Sequence, residues 1–74
     1  MKVETRIKHD LEMVVRYFRK FVEDIEEYEF EYRKNDEKLD LLQDILANKN
    51  PFNGDLMEIL YGLYEYEEDI KEKL

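Results

Sequence analysis

A chain of 74 residues, 43% apolar and 43% charged, has room for one small domain and almost no loop. A domain of this size buries only about 60% of its unfolded surface, so it needs an efficient core or a partner. Cys, Ser and Trp are absent, which removes disulfide scaffolds, thiolate zinc sites and the common Ser or Cys nucleophiles. No apolar run exceeds three residues, so neither a membrane span nor a signal-peptide core is expected. The expectation is a soluble, cytoplasmic, all-α protein with one helical domain over residues 1–74.

The formal charge of −8 is unevenly spread. Residues 1–20 carry six basic and three acidic groups, a net +3, and residues 21–74 carry six and seventeen, a net −11. A basic head on an acidic body favours pairing between two copies, or an oppositely charged partner.

The first predicted element is one long helix over residues 3–34. Ile7, Leu11, Val14, Phe18, Phe21, Ile25, Tyr28 and Tyr32 recur at steps of four and three, one stripe of an α-helix. Phe18, Phe21 and Phe30 read as core. The same spacing continues through Asn35, Leu39, Leu42 and Leu46, so phase alone would permit a helix running to Ala47. End signals favour a break instead. Arg33 and Lys34 suit a helix C-terminus, Asn35 suits a left-handed C-terminal position, and Asp36 suits the cap of a second helix over 36–48.

Asn48 to Gly54 holds the Asn-Pro and Asn-Gly pairs and reads as the connecting loop. A third helix over 55–74 opens on Asp55 as an acidic cap with Glu58 three residues on. Its expected inner stripe is Leu56, Ile59, Leu63, Tyr66 and Ile70. Leu60 and Leu74 lie beside that stripe, and Gly62 lies inside the helix. The expected architecture is a small three-helix bundle or a helical hairpin with one long N-terminal helix. Folded up-down-up, the two short helices would cover mainly the C-terminal part of the first.

Little here can carry chemistry. His9 and Glu12 share a helical face, but no further His or Cys completes a metal site, so His9 reads as a surface side chain. Six carboxylates fall within residues 23–31, and Glu65, Glu67 and Glu68 form a second run. They alternate with the apolar stripes, so Glu23, Glu26, Glu27, Glu65, Glu67 and Glu68 are expected in water rather than as a catalytic pair. No catalytic residue, cofactor or metal site is expected.

The surface expected to bind is Ile7, Leu11, Val14, Val15, Tyr17 and Phe18 on the first helix, with Met57, Tyr61 and Tyr64 on the third. An apolar N-terminal half of this size should not stay wet. The expected partners are a second copy and an unidentified protein, with no direct nucleic-acid, membrane or small-molecule ligand. In the homodimer, two first helices would pair antiparallel, each basic head against the other's acidic run. The functional expectation is a small acidic protein–protein interaction module, a regulator, inhibitor or immunity-type protein without catalysis. The other class considered is a nucleic-acid mimic whose acidic faces block a DNA-binding protein. Many Lys, Glu, Ile, Asn and Tyr with a single Ala also suggest an AT-rich bacterial or phage source.

Overall fold

The computed structural model describes residues 2–48 and 55–74. Among these there are three helices and no strand: α1 (Val3–Glu31), α2 (Asp36–Asn48) and α3 (Leu56–Lys73). The expected loop at 48–54 falls almost wholly on 49–54, outside the described residues. The two-step apolar period explains why α1 runs unbroken. At 1.5 Å per residue it is about 43 Å long.

The break lies near Asn35, but it is built differently from the expected one. α1 ends three residues early, at Glu31. The Tyr32 N–H still reaches the Tyr28 carbonyl at 2.9 Å, and the Arg33 N–H tightens onto the Phe30 carbonyl at 3.4 Å. The Arg33 guanidinium also donates to that carbonyl at 2.8 Å and lies 4.5 Å from the Phe30 ring centroid. One side chain thus satisfies an orphan carbonyl and covers an aromatic face. Asn35, and not Asp36, is the cap of α2. Its Oδ1 accepts from the Lys38 N–H at 3.1 Å while its carbonyl accepts the first helical bond, from the Leu39 N–H at 3.1 Å. Asp36 is the first helical residue, where its charge suits the positive end. At α3 the expected cap is found: Asp55 Oδ1 accepts from the Met57 N–H at 2.8 Å.

Both short helices run antiparallel to α1, one after the other. The Tyr28 hydroxyl donates to the Lys38 carbonyl at 3.1 Å, which ties the start of α2 to the end of α1. Further along α2, Leu46 and Ala47 lie beside Ile25 and Val22. α3 then begins beside Ile25 and Glu26 and descends past Arg19 and Val15 to reach Glu12 with Glu67. The up-down-up path is therefore corrected. α3 covers the N-terminal half of α1 and α2 covers only its C-terminal end, so the arrangement is a long hairpin whose second arm is broken once.

The molecule measures 49 × 21 × 16 Å, with a Cα radius of gyration of 15.7 Å. A compact chain of this length would have about 11 Å. Its core is thin. Val15, Val22 and Leu60, at 4–6% exposure, are the buried hydrophobic residues among those described, and no polar side chain is buried with them.

Candidate functional site

The site of interest is a face, and it follows from a mismatch between two stripes on each long helix. On α1 the groove beside α3 is lined by Glu12, Val15, Arg19, Val22 and Glu26, with Arg16 and Glu23 also on it. The first five repeat at steps of three and four, as a contact stripe must. The apolar stripe (Leu11, Val14, Phe18, Phe21, Ile25) lies one residue earlier at every step. One residue is about 100° of rotation round the axis. α1 therefore meets α3 off the centre of its apolar face: Val15 and Val22 are buried in the contact, Leu11, Phe18 and Ile25 are half-buried beside it, and Val14 and Phe21 stay exposed.

α3 shows the same offset. Met57, Leu60, Tyr64 and Glu67 face α1, and the apolar stripe (Leu56, Ile59, Leu63, Tyr66, Ile70) again lies one residue earlier. In two antiparallel helices, equal rotations away from the contact turn both stripes to the same side of the hairpin. The two stripes thus form one apolar surface. Exposure agrees with this geometry: Ile7, Val14 and Phe21 are 43–53% exposed, and Tyr66 and Leu74 are likewise open to solvent. Leu11, Phe18, Ile25, Ile59, Leu63 and Ile70 are half-buried. Leu41 and Ile45 of α2 are exposed as well.

Several residues read as core or surface change place for the same reason. Phe21 and Phe30, expected in the core, are exposed, Phe30 at 69%. Tyr66, expected on the inner stripe, is open to water, and Leu60, expected beside that stripe, is the buried residue of α3. Glu67, expected in water, has a side chain only 15% exposed because it lies on the contact stripe, where Lys71 bonds it at 2.9 Å. That hydrogen bond, and then the charge of Glu67, raise the Lys71 pKa above the ordinary lysine value.

Of the residues singled out for binding, Ile7, Val14, Tyr17 and Tyr61 are exposed. Leu11, Phe18, Met57 and Tyr64 are half-buried, and Val15 is enclosed beneath α3. Ile7, Leu11, Val14 and Phe18 belong to the common apolar face. Val15, Met57 and Tyr64 belong to the contact between the arms. Ile59, Leu63 and Ile70, expected on the inner stripe, are only half-buried, and Leu74, expected beside it, is exposed. The rotation that leaves them so comes from packing between the arms and leaves no trace in the apolar period.

The charged groups form local pairs. Arg16 bonds Glu12 at 3.5 Å, Arg19 bonds Glu23 at 3.5 Å, and Lys20 bonds Asp24 at 3.6 Å, each one helical turn apart. Half of the basic head is thereby answered from within α1. His9 is exposed, and among the described residues no three His, Cys, Asp or Glu side chains converge to hold a metal ion. No helix among them is long and apolar enough to cross a membrane. An open recess of about 420 Å³ lies between Val22 and Ile25 of α1, Leu46 of α2 and Leu56 of α3.

Compared with known proteins, the chain matches no family model, no curated protein and no solved structure.

Proposed function

We propose that this protein is a small acidic helical interaction module, a regulator, inhibitor or immunity-type protein. It acts by binding another protein, carries out no catalysis and assembles as a homodimer. One observation carries the reading: the hairpin buries only Val15, Val22 and Leu60 among the described residues, and its apolar stripes stay half-buried or, at Ile7, Val14, Phe21 and Tyr66, exposed on one side. Apolar patches of that extent on small proteins are covered in use. Catalysis has no support in the residues present, since the charged groups are largely exposed or paired along their own helix.

The test is affinity capture of the tagged full chain from its source cell, with bound proteins identified by mass spectrometry across a salt series. A stoichiometric protein partner retained in high salt is the expected result. Recovery of no protein would overturn the reading. Recovery of a DNA-binding protein lost steeply as salt rises would replace it with nucleic-acid mimicry, because only a charge-dominated contact is screened away.

A further inference from the structure

We infer that the common apolar face of α1 and α3 is the surface on which a second copy of this chain docks, forming a four-helix bundle with the two hairpins antiparallel end to end. The inference deepens the interaction-module reading and rests on it for the face, while naming the occupant independently.

Exposed area favours a second copy. The chain exposes 6213 Å², whereas a folded monomer of 9.2 kDa is expected to expose about 4,900 Å². The excess is about 1,300 Å², and removing that much from each of two copies gives about 2,600 Å², within the range of permanent homodimers. A second identical face is also the right shape. It offers the same two-helix width and length, and a two-fold axis through the face lets every apolar step meet a partner step. Four helices arranged round the joined stripes make a bundle core of the ordinary kind.

Charge selects the orientation. At one end of the hairpin, residues 2–20 lie beside residues 64–74, and these segments together carry eight basic and eight acidic groups. Residues 21–63 carry four basic and twelve acidic groups, so the whole charge of −8 falls on the other half. A parallel pairing would set −8 against −8. An antiparallel pairing sets each acidic end over a balanced one and holds the two acidic ends apart. The partner's apolar face, not the basic head alone, is what each copy reads.

The experiment uses the full chain at micromolar concentration. Sedimentation equilibrium should give twice 9.2 kDa, with helicity falling as the protein is diluted. Val14→Glu and Leu63→Lys, on the common face, should each weaken association at least a hundredfold. Tyr61→Glu is exposed one residue beyond the contact stripe on the opposite side, and it should leave association within threefold of the parent. The absence of Cys lets a single spin label be placed through Lys2→Cys, at the start of α1. The two labels of an antiparallel dimer should lie about 40 Å apart, twice the distance from that end to the middle of the face.

A monomer at all concentrations, or a dimer indifferent to both face variants, would overturn the proposal. Labels within about 20 Å of one another, under half the helix length, would overturn the antiparallel arrangement. A face variant that fails to fold is separated from one that fails to dimerise by far-UV circular dichroism, since a defect of association alone leaves the helical signal of the dilute parent. If the chain proves monomeric while affinity capture still returns a protein, this inference falls together with the homodimer of the proposed function, and the binding of another protein stands. If it dimerises as described and captures nothing, the reverse holds.

Discussion

Two single residues decide whether the local account of the helices is right. Asn35 offers both its carboxamide oxygen and its carbonyl to the first turn of α2, so Asn35→Ala should cost about 1 kcal/mol. Asp36 is an acid within the first turn, and Asp36→Ala should cost at most about 0.5 kcal/mol, from the lost charge at the helix end. Urea unfolding of the two variants beside the parent checks this, and a larger loss at Asp36 would restore it as the cap. Gly62 is the other test. A Cβ built on it meets nothing within 4 Å, so no close crossing requires the glycine. Gly62→Ala should therefore stabilise the protein by about 1 kcal/mol. For a domain of this size that is about 4–8 °C in thermal midpoint. A fall in midpoint would reveal a neighbour that needs the space.

Among the elements, much of the outline could be read in advance, and the faces could not. The long period from Ile7 to Tyr32, the break by Arg33-Lys34-Asn35 and the Asp55 cap are local signals, written within one turn of the residues they place. The direction of α3 along α1, and the turn of each helix about its own axis, depend on residues far apart in the chain that line one groove, from Glu26 with Met57 to Glu12 with Glu67. No local pattern records them. The apolar stripe naturally reads as the inside of a hairpin. Here the inside is the neighbouring stripe, with Glu12, Arg19, Glu26 and Glu67 among its members. Leu60 lies on that inner stripe at 4% exposure, so Leu60→Ala should cost about 2–5 kcal/mol. Leu74→Ala, half exposed at the end of α3, should cost under about 1 kcal/mol where no second copy is bound, since little of its area is withdrawn from water. Chemical unfolding at the lowest measurable concentration would compare them. Equal costs would mean that the arms meet through the other stripe.

For the whole molecule, the balance between area and charge sets how association should respond to salt. At 0.1 M salt the Debye length is about 10 Å, and in the antiparallel arrangement the two acidic runs of α1, Glu23 to Glu31, lie about 20–45 Å apart. Their repulsion is screened before salt is raised further. The ends that do meet are one acidic and one balanced, so little net Coulomb energy remains to be altered. The apolar contact itself does not weaken with ionic strength. The dissociation constant of the homodimer should therefore change by less than about tenfold between 0.1 and 1 M sodium chloride, since screening removes only pairings between charges. A parallel dimer would tighten markedly over the same range as its facing acids were screened. A complex built on the acidic surface and a basic target would loosen by orders of magnitude, as counterion-linked contacts do. One salt series by analytical ultracentrifugation separates the three, because flat, rising and falling affinity each belong to a different placement of the same −8 charge.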